Sequence, residues 1–227
     1  MSLKTSNLPF KARVDHEVHN TIMRKAVVKA QETIGANRQK MVDELGHWEE
    51  WRDLSKQIRN HVLANLDAYL YQLSEKVIEN GGKVYFAETA EEASAYIRKV
   101  ALEKNAKKIV KSKSMVTEEI GLNEVLEKEG MQVIETDLGE YLLQISGDKP
   151  SHIVVPAIHK DRHQIRKDLS EKLGYEGEET PEDMTRFVRE KIRQDFLEAD
   201  IGISGCNFAV AETGSVCLVT NEGNLRL

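Results

Sequence analysis

Cysteine is almost missing from this sequence. Cys206 and Cys217 are the only two among 227 residues. They exclude a disulfide framework and fit a reducing cytoplasm. No C-x-x-C pair exists, and a cubane iron–sulfur cluster needs four thiolates, so these residues cannot hold one alone. No apolar run reaches the roughly 18 residues of a membrane span, and residues 1–10 lack the apolar core of a signal peptide. There is no G-x-G-x-x-G fingerprint, no P-loop and no H-E-x-x-H, which leaves a dinucleotide site and a zinc site without support. Positive charge is not in excess either. Against 38 acidic residues stand 32 basic ones, a net charge of -6, which argues against nucleic acid as the main partner. Proline is rare, with four in the chain and none from Val14 to Gly82.

That proline-free stretch carries apolar residues at helical spacing. Trp48, Trp51, Leu54, Ile58, Val62 and Leu66 form one stripe, read as a helix face buried against the next domain. Gly81-Gly82 ends it. Residues 1–82 therefore read as a helical N-terminal extension, one that makes homo-oligomerisation plausible, and residues 83–227 as an α/β domain. From Lys83 the pattern turns to strands alternating with helices. Strands are expected at Lys83–Ala87, Lys108–Lys111, Met131–Glu135 and His152–Ile158. Helices follow to about Asn105, Gly130 and Leu173, the first opened by a capping box at Thr89. Thr180-Pro181 starts another helix. Such alternation implies a mostly parallel sheet with helices on both faces. Closely spaced strands at 201–204, 209–211 and 216–220 leave no room for crossover helices and predict an antiparallel or mixed addition at one side.

Parallel sheets bind ligands beyond the carboxyl ends of their strands, and three polar segments are expected there. Lys111-Ser112-Lys113-Ser114 offers two ammonium groups, two hydroxyls and a helix start, suited to a carboxylate or phosphate. It is equally a solvated turn with Ser114 as N-cap. His159 follows a strand and is a candidate acid or base near neutral pH, or simply a hydrogen-bonding turn residue. The run from Gly205 to Ser215 places Asn207, Glu212, Thr213, Gly214 and Ser215 together. Its hydroxyls and exposed N–H groups can hold an anion, and Glu212 can serve as base, nucleophile or anchor. The alternative is an ordinary hairpin turn through Thr213-Gly214. Asn221 and Glu222 add a polar cluster one strand later. The mechanistic expectation is that the lysine–serine turn and the Glu212–Ser215 turn share a cavity. No metal ligand set is expected.

Four segments carry a family resemblance: Lys111 through Asn123, Val133 through Tyr141, His152 through Lys160, and Gly205 through Gly223. Together and in order they resemble the lactate utilization protein B family, over nearly the whole chain. The resemblance implies a LUD domain in the NagB/RpiA/CoA-transferase-like α/β group. It implies a part in oxidising L-lactate to pyruvate, with companion lactate-utilization subunits and a small carboxylate such as lactate as ligand. Family members continue into a cysteine-rich, ferredoxin-like segment with iron–sulfur clusters. This sequence is expected to stop short of that segment and to carry no cofactor itself. A transferase- or ligase-like domain for a phosphorylated or CoA-type ligand, with Glu212 or Glu222 as nucleophile, is the alternative. A subunit-docking scaffold is the third reading.

Overall fold

A computed structural model describes residues 8–152 and 155–225. In chain order the elements are α1 (Phe10–His19), α2 (Thr21–Leu45), α3 (Trp48–Ala64), α4 (Leu66–Glu79), α5 (Ala90–Glu103), β1 (Lys108–Lys111), α6 (Met115–Glu119), α7 (Leu122–Glu127), β2 (Gln132–Glu135), α8 (Leu138–Ser146), α9 (Arg162–Leu173), α10 (Pro181–Glu198), β3 (Ile201–Ile203), β4 (Phe208–Val210) and β5 (Ser215–Cys217). They fall into two compact units. One holds residues up to Val27, Ala87–Gly205 and residues from Thr220; the other holds Val28–Phe86 and Cys206–Val219.

The first unit is built on a three-stranded sheet in the order β2-β1-β3, and both pairings are parallel. Each strand alternates its side chains between two apolar layers. Val110 and Ile134 pack with Tyr141, Leu142, Leu169, Met184 and Val188 from α8, α9 and α10. Ile109 and Val133 pack with Ala101, Leu122 and Leu126 from α5 and α7. Leu169, Leu122 and Leu126 are wholly removed from solvent, each contributing roughly 1.5–3 kcal/mol relative to exposure. The sequence marks where helices begin. Thr89, Ser114, Asp137, Asp161 and Thr180 each accept a hydrogen bond from the backbone N–H three residues on, which satisfies an otherwise orphan donor. Asp200 Oδ2 accepts from the N–H groups of Lys107 and Lys108 at 2.7 and 3.0 Å, tying the entry of β3 to that of β1.

The second unit contains the helical hairpin α3–α4 and the antiparallel pair β4–β5, in register from Phe208↔Cys217 to Val210↔Ser215. Its turn has Gly214 at φ +70, with the Thr213 and Gly214 N–H groups donating to Val210 O. Asn80 Nδ2 donates to Thr213 O at 2.9 Å.

Several expectations are corrected. Lys83–Ala87 joins no sheet among the described residues; its β-favouring composition lacks a neighbouring strand to pair with. The expected strand at His152–Ile158 includes residues 153 and 154, which lie outside the described residues. Val155 to Ile158 form turns, with Ile158 N–H donating to Val155 O and Ser151 N–H to Pro156 O; Pro156 has no N–H to give a ladder. The helix expected up to Gly130 is two short ones, because Gly121 sits in the left-handed region at φ +63. The late strands do not add together to one side. β3 pairs parallel with β1, and β4–β5 make a separate sheet. The tryptophan stripe lies on α3 as spaced, yet Trp51, Leu54, Ile58 and Val62 are exposed. Periodicity defines a face; it does not supply what covers it.

Candidate functional site

The carboxyl ends of β1 and β2 hold a dense group of charges. Lys111 and Glu135 are the last residues of their strands and register partners, so both project to the layer below α6 and α7. The Lys111 side chain is completely buried. Its ammonium donates to Thr117 Oγ1 at 3.1 Å and to Glu118 Oε1 at 2.9 Å, and lies 2.9 Å from Glu135 Oε1. Three donors meet three internal acceptors. Burial alone would lower the Lys111 pKa, but the charges of Glu135 and Glu118 outweigh it and raise the value. The lysine is therefore a fixed cation.

Asn123 Nδ2 adds a second donor to Glu135 Oε1 at 2.6 Å. At the outer edge of β2, α8 takes the place of a neighbouring strand. Gln144 accepts from Glu135 N–H at 3.1 Å and donates to Val133 O at 2.8 Å. One turn earlier on the same helix face stands Glu140. Carboxylate oxygens of Glu118, Glu135 and Glu140 lie within 4.8 Å of one another. Burial, then the neighbouring Glu135 charge, push Glu140 up to about 8, so its carboxyl is protonated at neutral pH. Burial also raises Glu135, against the opposing pull of Lys111.

Just beyond the strand end, Ser112 is fully buried and its Oγ has no hydrogen-bond partner. Lys113 Nζ lies 3.9 Å from Asp137. Glu222 reaches the same place: its Oε2 accepts from Leu138 N–H at the start of α8 at 3.1 Å. A carboxylate on a helix N-terminus is favourable, while burial raises the Glu222 pKa. Gly205 also belongs here; a Cβ on it would stand 3.4 Å from Ser114.

Lys111, Ser112, Lys113, Ser114 and Glu222 thus come together at one end of the sheet. His159 lies in the turn after Pro156, its Nδ1 2.7 Å from Ser151 Oγ, with burial lowering its pKa so that it is neutral near pH 7. Asn207, Glu212, Thr213, Gly214 and Ser215 belong to the other compact unit. There Asn207 Oδ1 accepts from Val219 N–H at 2.8 Å, and Thr213 Oγ1 donates to Ser215 Oγ at 2.9 Å. A Cβ on Gly214 would stand 2.6 Å from the Lys76 carbonyl carbon, so this glycine serves close backbone packing. Sequence reasoning missed Glu118, Glu135 and Glu140. The signal was there: Glu135 directly follows Val133-Ile134, and Glu140 precedes YLL, positions where an acid is costly unless paired.

Iron–sulfur ligation does not fit the residues present. Cys206 and Cys217 are both exposed free thiols, half the number a cluster needs.

A family model described as the LUD domain matches residues 70–227. The chain is 73% identical over all 227 residues to the uncharacterized electron transport protein YkgF of Escherichia coli (strain K12), covering 48% of that protein. It is 59% identical to lactate utilization protein B of Bacillus cytotoxicus and 58% identical to that of Bacillus cereus strain B4264, again over all 227 residues and 48% of each relative. The chain spans about half the length of these curated relatives. No solved structure matches. With the family model covering more than half of its residues, the chain belongs to the LUD domain family.

Proposed function

We propose that this chain is the LUD-domain part of a lactate utilization protein B, acting with companion subunits in a cytoplasmic system that oxidises L-lactate to pyruvate. The observation that carries the reading is the 58–59% identity to proteins of that name across every residue of the chain. The relative named for electron transport agrees with an oxidation whose electrons leave through iron–sulfur clusters. Those clusters are assigned to protein outside these 227 residues, since two thiols cannot bind one.

The substrate carboxylate is assigned to the carboxyl end of β1 and β2. Lys111 is consumed by its internal partners and sets the local charge from below. Lys113, partly exposed, supplies the cation that meets the ligand, with the hydroxyls of Ser112 and Ser114 beside it. Glu222, held on the start of α8, lines the rim. His159 is the candidate proton carrier outside this cluster. Glu212 and its neighbours on the β4–β5 hairpin do not enter this reading.

Lactate-dependent dye reduction by the full-length protein with its companions tests it. Lys113→Met raises KM for lactate at least tenfold, whereas Lys167→Met, on an exposed helix face, changes nothing. Unaltered lactate kinetics in Lys113→Met would remove Lys113 from the site.

A further inference from the structure

The cluster around Lys111 has more carboxylate than cation, and the geometry shows how that excess is resolved. Glu135 is 4% exposed and Glu140 is 9% exposed. Facing Glu140 are Glu135 from β2, Lys111 from β1 and Asp137 at the helix cap, with Glu118 of α6 in the same cluster. Three ionised carboxylates within 4.8 Å against one ammonium would leave net negative charge in a site where two of the three, Glu135 and Glu140, are buried. Such charge costs several kcal/mol unless it is neutralised.

The hydrogen bonds locate the neutralising proton. Glu118 Oε1 and Glu135 Oε1 are both engaged by the Lys111 ammonium, and Glu135 Oε1 also receives Asn123. These contacts favour the ionised form of both groups. Among the described residues Glu140 closes no ion pair, and the Lys111 charge opposes its protonation less than burial and the Glu135 charge favour it. Two buried oxygens in the cluster lack any partner, Glu135 Oε2 and Glu140 Oε2. A proton on Glu140 would give this pair the donor it lacks, with the Glu135 carboxylate within 4.8 Å as its acceptor. A divalent ion in the same place would have to sit beside the ammonium of Lys111, which like-charge repulsion opposes.

The geometry points to Glu135 and Glu140 as a carboxyl–carboxylate pair that shares one proton, balanced by Lys111: an internal acid–base site at the carboxyl edge of the sheet. Its ligand is the proton, taken up and released as Glu140 changes between carboxylic acid and carboxylate. The upward displacement of Glu140 to about 8 puts that exchange near neutral pH. The assignment is independent of the substrate proposed above.

The test is a pH titration of the full chain carrying side-chain carboxyl 13C-labelled glutamate, followed by NMR. One glutamate is expected to titrate near 8, far above the usual value near 4. Glu140→Gln abolishes that titration near 8. Glu118→Gln keeps it. If every glutamate of the unmodified chain titrates in the usual range, the shared proton does not exist. If Mn2+ at neutral pH broadens the Glu135 and Glu140 signals selectively, a metal and not a proton bridges these oxygens, and the proposal fails. The unmodified protein alone decides the first point, so it stands even if Glu140→Gln does not fold.

Discussion

Lys111 and Glu135, register partners at the ends of adjacent parallel strands, close a 2.9 Å ion pair on a lysine side chain with no solvent exposure. The pair is specified by strand register. A slip of one residue would send one side chain to the opposite layer. It also puts a charge where only other protein charges can answer it.

Removing the lysine should therefore be far worse than removing an ordinary surface cation. Lys111→Met leaves Glu135 buried, and Glu118 partly buried, without their counter-charge, and a loss of about 3–5 kcal/mol is expected. Adding Glu135→Gln to that variant should recover part of the loss. Urea unfolding of the two variants measures it. A cost below about 1 kcal/mol for Lys111→Met would show that the ion pair is not desolvated.

Gln144 stands in for a missing strand on the outer edge of β2. Gln144→Leu leaves the Glu135 N–H and the Val133 carbonyl without their partners. The expected cost is about 1–3 kcal/mol, with faster amide exchange at Glu135. Unchanged exchange there would mean that the side-chain bridge does not protect the strand.

Gly214 is required by backbone geometry. At φ +70 a side chain costs roughly 1–2 kcal/mol, and its Cβ would overlap the Lys76 backbone. Gly214→Ala should open the 206–219 segment to limited proteolysis while leaving the β1–β2–β3 sheet protected. Equal protease resistance in both proteins would contradict the close packing.

How much of this was legible in the sequence differs by range. Caps at Thr89, Ser114 and Thr180 depend on residues three positions apart, and the sequence shows them directly. So does the alternation that builds β1 and β2. The α8 helix escaped notice, though Asp137 followed by Glu140 is an N-terminal signature. The acidic cluster was harder. Glu118, Glu135 and Glu140 converge only through the parallel register and the docking of α8 on an edge strand, and neither is a local property. Lys111 was legible as a charge at a strand end. Its burial was not, because the carboxylates that make burial tolerable, Glu118 and Glu135, come from two other elements. The stripe from Trp51 to Val62 shows the converse: a strong local pattern whose apolar residues stay exposed.

The Glu140 carboxyl also links stability to pH. Below about pH 4 both the folded and the unfolded chain hold this proton, and it contributes no difference. Between there and about 8 the unfolded chain has lost the proton that the folded chain keeps. Folding then takes up a proton, so this group's contribution falls as pH rises, by up to about 1.4 kcal/mol per pH unit. Above about 8 both have lost it and the penalty is constant. Glu140→Gln removes the titration, so its stability relative to the unmodified protein should climb from pH 5 to pH 8 and then level. Parallel curves over that window would contradict the assignment.

The account rests on the carboxyl end of β1 and β2 as the place where a small carboxylate binds. The most direct measurement is lactate titrated into the isotopically labelled chain, read from backbone amide shifts. Saturable shifts centred on residues 111–114, 137–140 and 222 are the predicted result. Shifts confined to residues 207–215, or none at all, would contradict it.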